Sequence, residues 1–269
     1  MLRKIPVLAL LLCAAVATPA QSATTLPDSV ASWWTEGDTL VVSVTSRDAA
    51  ATRFLATLPG KVRVVQEPKL LMATDVKGGD GWNNGTSRCS VGFSATGSGG
   101  SKHFITAGHC TKVKGATARS TTTLTTMGTV NGSTFSKTGD FGKVDVTSAE
   151  FALTPKVNGY GTGDVTIKGS TEAAIGASVC KSGSTTKVTC GKITAKNVSF
   201  NAGNGVIVEG LTKTDICSNP GDSGGAVYAG AQAQGIVSAG TANCTSGKLT
   251  LFQPIGEALS AFGVTLVRG

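Results

Sequence analysis

The sequence predicts an all-β barrel or sandwich, preceded by a small unit that mixes strands with a helix. The 269 residues include 36 glycines, which lie with Ser and Thr between short apolar runs, as in turn-rich β proteins. Only 15% of the residues are charged and 40% are hydrophobic, so the chain can build a core and is not disordered. The glycines show no three-residue period, which excludes collagen.

Residues 21–75 carry the mixed pattern. Asp38–Thr45 is β-branched and predicts a strand, and Lys61–Val65 alternates like a second strand. Between them, Ser46–Leu58 predicts a helix that begins with an N-cap candidate and has an Asp in its first turn. Pro59-Gly60 ends that helix. This β-α-β unit, whose core would be marginal alone, is either an extra subdomain or a removable pro-segment.

The rest of the chain combines short strands with glycine-rich turns. Ile193–Phe200 and Val206–Gly210 predict a hairpin around the turn Asn201–Gly205. Pro254–Phe262 predicts one short helix near the C-terminus, which Gly263 ends. We expect one all-β body here, because the sequence contains no internal repeat and no long linker.

The first twenty residues have the pattern of a secretory signal peptide. Arg3 and Lys4 precede the apolar run Ile5–Ala17, which leads into the small residues Ala17-Thr18-Pro19-Ala20. The run is too short to span a bilayer, and no second apolar segment follows it. We therefore expect residues 1–20 to be removed and the remaining chain to be secreted, extracellular and without a membrane segment.

The cysteine count agrees with export. Of the seven cysteines, Cys13 would leave with the signal peptide. The other six form an even set, which predicts three disulfides in an oxidising compartment, although spacing alone does not select the pairing. Zinc is the competing interpretation, but no C-x-x-C occurs and the chain has only two histidines. We expect no metal and no cofactor, since no group of residues has ligand spacing.

The charge distribution argues against nucleic-acid binding. The net charge is +8, but the lysines are scattered among Thr, Ser and Gly rather than grouped with aromatic residues. A nucleic-acid site would need a basic stripe or stacking aromatic rings. We interpret the charge as a solvated basic surface.

Two short segments carry the chemistry: Phe104–Cys110, which reads FITAGHC, and Pro220–Ala226, which reads PGDSGGA. A serine hydroxyl becomes a nucleophile when a base removes its proton, and an imidazole can do this near neutral pH. An Asp then orients the imidazole. Glycine before the serine lets backbone N–H groups converge on a developing oxyanion.

The segment Gly221–Gly225 also fits G-x-S-x-G, the nucleophile elbow of α/β-hydrolases. That fold needs its histidine after the serine in chain order. Both histidines here, His103 and His109, precede Ser223, and the helices of an α/β sheet are missing. The order of the residues therefore excludes the esterase interpretation.

The two motifs, in this order and in an exported chain, resemble those of the chymotrypsin-fold serine endopeptidases. Within that family, the sequence is most similar to the secreted bacterial branch of α-lytic protease and the streptogrisins, over residues 76–269. The resemblance implies two six-stranded antiparallel β-barrels with a short C-terminal helix. It also implies that residues 21–75 are an α+β pro-segment, acting as folding aid and inhibitor of the protease domain.

The resemblance carries over to individual residues. His109 matches the general base and Ser223 the nucleophile of a Ser-His-Asp triad. The acid should begin an Asp-aromatic-Gly-x-Val strand, and Asp140 fits this pattern better than Asp145 or Asp164. His103 is interpreted as a surface or strand histidine without a catalytic role.

Further positions take family roles in the same way. The N–H groups of Gly221 and Ser223 match the oxyanion hole. The resemblance implies a strand edge that pairs with extended substrate, formed by Ser238, Ala239 and Gly240. It also implies an uncharged specificity pocket, formed by Ser218, Pro220, Val237 and Gly240. Such a pocket favours Leu, Met, Phe or Tyr before the cleaved bond. The implied disulfides are Cys89–Cys110, Cys180–Cys190 and Cys217–Cys244.

Asp222 needs a cation if it is buried beside the nucleophile, because an unpaired buried charge is costly. The bacterial branch has a Cys-Arg-Ser-Gly segment that supplies an internal guanidinium, and this chain has Cys180-Lys181-Ser182-Gly183. An ammonium lacks the bidentate fork of arginine. Lys181 therefore either forms an ion pair with Asp222 or lies in solvent.

We expect a monomeric enzyme that acts on protein or peptide substrates. The alternatives are a catalytically weak relative used as a binding module and a narrow-specificity processing protease. We expect maturation to start with self-cleavage after Leu71 or Met72, followed by trimming toward Val76, so that the pro-segment ends near Asp75.

Overall fold

A computed structural model of the chain describes residues 25–70, 73–241, 244–245 and 247–269. The expected signal peptide, residues 1–20, lies outside these ranges. The chain divides into two compact units, Met1–Leu71 and Met72–Gly269. Within the described ranges, no helix is both long and apolar enough to cross a membrane.

In its described residues, the first unit is a three-stranded sheet with one helix. Its elements are β1 (Val30–Glu36), β2 (Thr39–Val44), α1 (Ala49–Leu55) and β3 (Lys61–Gln66). Strand β2 lies in the middle, antiparallel to β1 and parallel to β3. Val42 and Val44 pack with Phe54 and Leu55 of the helix to form a small core. The β-α-β pattern of the sequence is therefore present, with β1 as an additional strand.

Helix α1 begins three residues later than the predicted helix. The Asp expected in its first turn, Asp48, is the N-cap instead, and its carboxylate accepts the N–H of Ala51 at 2.8 Å. Ser46 lies outside the helix and donates its hydroxyl to Asp48 at 3.2 Å. Asp caps a helix as well as Ser does, so the residue closer to the apolar positions determined where the helix begins.

Where the structure describes it, the second unit is built from strands and one α-helix, α2 (Ile255–Phe262). Its strands are β4 (Thr74–Gly78), β5 (Gly81–Asn83), β6 (Arg88–Ser90), β7 (Phe93–Thr96), β8 (Lys102–Thr106), β9 (Thr117–Ser120), β10 (Thr126–Ser136), β11 (Gly139–Val146), β12 (Phe151–Val157), β13 (Val165–Thr166), β14 (Ser178–Gly183), β15 (Lys187–Gly203), β16 (Val206–Thr214), β17 (Ala226–Ala229), β18 (Gln232–Gly240), β19 (Thr250–Pro254) and β20 (Thr265–Leu266).

These strands form two halves. The first half is an eight-stranded sheet in the order β20-β7-β8-β11-β10-β9-β5-β6, and the second is a closed six-stranded barrel in the order β14-β15-β16-β19-β18-β17. A third sheet has the order β13-β12-β4, in which β4 runs parallel to β12. One core cluster combines Phe93, Ile105 and Phe141 of the first half with Ile236 of the second. The two halves therefore share a core.

The predicted hairpin and C-terminal helix are both present. Strands β15 and β16 extend further than predicted, because the turn between them is only Asn204-Gly205, with φ of 51° and 77°. Helix α2 follows Pro254 and ends at Gly263, which adopts the left-handed conformation at φ 61°. Positive φ favours Asn and Gly at the turn and at the end of the helix, and the fixed φ of Pro favours it at the start of the helix.

Candidate active site

His109 lies in a single 3-10 turn, Gly108–Cys110, directly after strand β8. The turn is anchored by the Cys89–Cys110 disulfide. It also packs against β10, where a Cβ at position 108 would overlap the carbonyl oxygen of Thr134. Only glycine allows this approach, so the histidine backbone is held between a disulfide and a neighbouring strand.

Asp140 stands at the start of β11 and holds His109 by two bonds. One carboxylate oxygen lies 2.8 Å from His109 Nδ1, and the other accepts the His109 backbone N–H at 2.9 Å. Ser238 of β18 donates its hydroxyl to the same carboxylate at 2.6 Å. Asp140 is completely buried. With Nδ1 engaged by the carboxylate, the imidazole keeps Nε2 for another partner.

A further residue near Asp140 was not identified from the sequence. Gln253 of β19 is completely buried and accepts the Asp140 backbone N–H at 2.8 Å through Oε1. Its Nε2 donates to Glu257 of helix α2 at 2.5 Å. Burial raises the pKa of Glu257 above its ordinary value, with a lowering contribution from Gln253. Nothing in the residues next to Gln253 indicates a role in the site, because its contact with Asp140 arises only when the two strands come together in the fold.

Ser223 reaches the histidine turn through its backbone. Its carbonyl accepts the N–H of Ser90 at 2.8 Å and lies 4.0 Å from the sulfur of Cys110, the neighbour of His109. The next residue, Gly224, has φ +80°, and a Cβ there would overlap Thr106. The serine is therefore presented by a tight turn packed against the end of β8, the strand that leads into the histidine turn.

The backbone before Ser223 can bind an anion. Gly221 has φ +97°, a conformation that favours glycine. Its carbonyl accepts the hydroxyls of Ser90 at 2.8 Å and Ser184 at 3.1 Å, which fixes the direction of the following peptide. In the part of the chain that the structure describes, the N–H groups of Gly221 and Ser223 have no acceptor. Two free donors beside one serine hydroxyl are what an oxyanion hole requires.

Asp222 and Lys181 are both buried and form an ion pair at 3.1 Å. The carboxylate also accepts the backbone N–H groups of Thr185 at 2.9 Å, Thr186 at 3.0 Å and Asn219 at 3.0 Å. Of the two alternatives left by the sequence, the structure contains the pair. The ion pair and these hydrogen bonds fasten the loop that carries Gly221 and Ser223.

Burial and charge act in opposite directions on this pair. Burial raises the pKa of Asp222, but Lys181 and the hydrogen bonds outweigh it, so the pKa lies below its ordinary value. Burial also lowers the pKa of Lys181, and the attraction of Asp222 offsets only part of that effect. The carboxylate is therefore firmly ionised, while the ammonium loses its proton more readily than a surface lysine.

The other two candidate acids have different partners. Asp145 binds His103 at 2.7 Å, and Asp164 forms an ion pair with Lys77 at 2.7 Å. In the described ranges, one group of side chains has metal-ligand spacing: Cys89, His109 and Cys110. Because these two cysteines share a disulfide, they cannot act as thiolate ligands.

Most of the residues assigned to substrate binding lie at the end of β18, and Ser218 packs against Gly240 there. This strand pairs with β17 as far as Ile236 and with β19 as far as Gly240, so the β17 side of its last three residues is open. Val237 is buried, and a Cβ at Gly240 would overlap the hydroxyl of Ser218. Pro220, two residues before Asp222, is exposed. The structure thus leaves one edge of Ser238, Ala239 and Gly240 free to pair with an extended chain, and Ser218 lies beside that edge.

All three disulfides have the pairing that the resemblance implied: Cys89–Cys110, Cys180–Cys190 and Cys217–Cys244. The first holds the histidine turn. The third links the segment before Ser223 to the loop that follows β18. Two of the three therefore brace parts of the candidate site.

Comparisons with known proteins agree with this geometry. The sequence profile of the trypsin family matches residues 76–261. Streptogrisin-C of Streptomyces griseus is 44% identical over 250 residues, covering 90% of this chain, and the chain spans about half (53%) of that relative's length.

Two solved structures are similar to the second unit. Thermobifida fusca protease A is 45% identical with a TM-score of 0.66, and Cellulomonas bogoriensis chymotrypsin is 43% identical with a TM-score of 0.64. Each is covered completely and matches 73% of this chain. The predicted fold, two β-barrels with a C-terminal helix, is confirmed by this similarity.

Proposed function

The chain belongs to the trypsin family of serine proteases, and we propose that it is a serine endopeptidase that uses Ser223, His109 and Asp140 as its triad. The observation that carries the proposal is the pair of short bonds from Asp140 to His109, at 2.8 and 2.9 Å, in a turn against which Ser223 packs. With Nδ1 bound to Asp140, the His109 imidazole keeps Nε2 open, and this nitrogen can act as the base that deprotonates Ser223.

The reaction proceeds through an acyl-enzyme. His109 Nε2 removes the proton of Ser223 as Oγ attacks the scissile carbonyl carbon, and the oxyanion is received by the N–H groups of Gly221 and Ser223. The imidazolium then gives its proton to the leaving amine, and the C–N bond breaks. Water, activated by the same imidazole, releases the acyl group. Asp140 stays ionised and stabilises the imidazolium throughout.

Substrate is bound as an extended strand along Ser238, Ala239 and Gly240. The side chain before the scissile bond enters the recess of Ser218, Pro220, Val237 and Gly240. None of these four residues is charged, so a Lys, Arg or Glu side chain would lose its hydration without gaining a counter-ion. We infer a preference for Leu, Met, Phe or Tyr.

Residues 21–75 act as a pro-segment that helps the barrels to fold and inhibits the protease until the segment is cleaved off. We propose that the final cut falls near Asp75, on the N-terminal side of that residue, before Thr74. Val76 lies buried in strand β4, where its carbonyl accepts the hydroxyl of Ser94 at 2.9 Å. A new ammonium at Val76 would bury a charge within a sheet, which is costly. Leu71 and Met72, the expected first cleavage sites, lie outside the described residues.

We further propose that the chain is exported by its first twenty residues and acts outside the cell as a monomer. Three disulfides in a chain of this size are typical of an oxidising compartment.

Casein hydrolysis tests the proposed activity. We expect the matured protein to degrade casein, and a serine-directed diphenyl phosphonate with a Phe side chain to abolish this with one adduct on Ser223. A binding module of the same fold would bind casein without cleaving it, and that result would refute the proposal.

A further inference from the structure

A second serine, histidine and aspartate lie in line on the outer side of the first half. The ring of His103 in β8 lies between Ser101, whose Oγ is 2.9 Å from Nε2, and Asp145, whose Oδ1 is 2.7 Å from Nδ1. His103 and Asp145 face each other in register across β8 and β11. The Asp145 carboxylate contacts Nδ1 of His103, as the Asp140 carboxylate contacts Nδ1 of His109. The Ser101 hydroxyl contacts the other ring nitrogen, Nε2.

The carboxylate determines what the imidazole can do. Because Asp145 accepts from Nδ1, the proton of a neutral ring stays on Nδ1, and Nε2 is a lone-pair acceptor. The Ser101 hydroxyl has one proton and two acceptors within reach: Nε2 at 2.9 Å and the Ser98 carbonyl at 3.1 Å. The distance to Nε2 is the shorter one, and Nε2 is a base. The imidazole therefore polarises the Ser101 hydroxyl as a general base does.

The supporting contacts keep the cluster in place. Asn131 of β10 donates its amide to the second oxygen of Asp145 at 2.5 Å, and the Lys143 ammonium lies 3.7 Å from the first. His103 is 5% exposed, whereas Ser101 is exposed at the tip of the turn between β7 and β8. The base is therefore rigid and mostly dry, and the hydroxyl is open to solvent.

A cavity of about 290 Å³ opens beside the three side chains. Phe262 and Val264 give it an apolar wall, and Lys143 supplies a cation. A Cβ at Gly97 would lie 2.6 Å from Ser101 Oγ and 2.8 Å from His103 Nε2, so glycine leaves room for this pair. The volume is at the lower end of ligand pockets and suits a short acyl or aryl group rather than a peptide.

We propose that Ser101, His103 and Asp145 form a second nucleophilic site, independent of Ser223, that accepts short acyl groups from small aryl esters. Ser101 Oγ forms a bond to the ester carbonyl carbon, and the bond from that carbon to the phenol oxygen breaks. The hydroxyl proton passes to His103 Nε2 and then to the departing phenolate. Lys143 lines the same cavity and can offer its charge to the developing oxyanion. Water later attacks the acyl carbon, giving its proton to His103 Nε2, and the acyl group leaves Ser101 as the proton returns to Oγ.

The test uses the full chain with Ser223→Ala, so that the first site is silent, and 4-nitrophenyl acetate as the probe. We expect nitrophenolate release and, by peptide mass mapping after acid quenching, one acetyl group on Ser101. Ser98 is an internal control in the same turn, because it has no contact with an imidazole in the described structure. We expect acetylation of Ser101 to be roughly 100-fold faster than that of Ser98, the usual effect of a positioned base.

Two further variants in the Ser223→Ala background complete the test. Ser101→Ala should remove the nitrophenolate release, and His103→Asn should slow the acetylation of Ser101 at least tenfold. The proposal is overturned if Ser101 is acetylated no faster than Ser98, or if His103→Asn folds and leaves the rate unchanged. The comparison of the two serines needs no change at His103, so it decides the question even if that variant does not fold.

Discussion

The side-chain oxygen of Gln253 accepts the backbone N–H of Asp140 at 2.8 Å, and both residues are completely buried. This bond connects the start of β11 to β19, so the position of the candidate catalytic acid depends on the second barrel. Glu257 holds the other end of the amide at 2.5 Å and thereby fixes which atom of Gln253 faces Asp140. The chain Glu257–Gln253–Asp140–His109 runs from helix α2 to the imidazole.

We expect Gln253→Leu to lower kcat roughly tenfold with little change in KM, because it leaves the Asp140 N–H without an acceptor and lets the carboxylate move. Steady-state kinetics on a peptide anilide measures both constants. Glu257→Gln is the matched control, since its amide oxygen can still accept from Gln253, and it should keep kcat within about twofold. Unchanged kcat in a folded Gln253→Leu protein would show that Asp140 needs no support from β19.

The sequence predicted those parts of the site that are carried by short motifs. His109 and Ser223 lie in local segments whose residues have to be adjacent for the chemistry, and Asp140 begins a strand with a recognisable pattern. Gln253 and Glu257 could not be found this way, because their role comes from pairing across barrels and not from their neighbours in the chain. The partners of His103 could not be predicted from its neighbours either, because Ser101 is near it in sequence but Asp145 meets it only through the register of β8 and β11.

The fold class could be predicted from the sequence, but the number of strands and the residues at which helices begin could be predicted less well. The family resemblance predicted six strands in the first half, and the structure has an eight-stranded sheet there. The sheet is larger because β20 adds to one edge and β6 forms a short strand at the other. The helix in the first unit begins at Ala49 because Asp48 competes successfully with Ser46 for the cap. Local signals of similar strength are resolved only by tertiary packing.

We expect activity to fall at alkaline pH when Lys181 loses its proton. Burial lowers the pKa of this ammonium below its ordinary value, so the proton leaves at a lower pH than it does from an exposed lysine. Asp222 is then buried without a cation, and the loop with Gly221 and Ser223 loosens. The charged pair is thus present below the pKa of Lys181 and lost above it.

The pH dependence of kcat/KM measures this directly. Lys181→Arg should move the alkaline limb to higher pH, because a guanidinium stays charged throughout the range. Lys187→Arg is the control, since the Lys187 ammonium donates to the Ser184 carbonyl at 2.9 Å and is not paired with Asp222. An alkaline limb that is identical in the Lys181→Arg protein would mean that this ion pair does not limit activity.

Gly240 should determine how large a side chain the recess admits. A peptide library should be cleaved mainly after Leu, Met, Phe or Tyr by the unchanged protein. In Gly240→Val, the new side chain would crowd Ser218 and narrow the entrance. We expect kcat/KM for Phe substrates to drop roughly 100-fold while Ala substrates lose much less, because overpacking penalises the larger group. Preferential cleavage after Glu or Arg would contradict the assignment of the recess.

The first unit should speed the folding of the second. The protease body consists of strands with long-range pairing, and such topologies fold slowly. Residues 74–269, refolded alone, should recover little activity within hours, and addition of residues 21–73 as a separate chain should restore it. Rapid recovery of full activity by the isolated piece would leave the first unit only a role as an inhibitor.

The acyl group on Ser223 is the most direct test of the central claim. A four-residue peptide ester ending in Phe, too large for the cavity at Ser101, is mixed with the matured protein and quenched in acid during turnover. We predict a mass increase of one peptidyl group on the peptide that contains Ser223, and turnover lowered by roughly 10⁴-fold or more in Ser223→Ala, His109→Ala and Asp140→Asn. Turnover that persists in Ser223→Ala, or an acyl group that never forms on Ser223, would contradict the account.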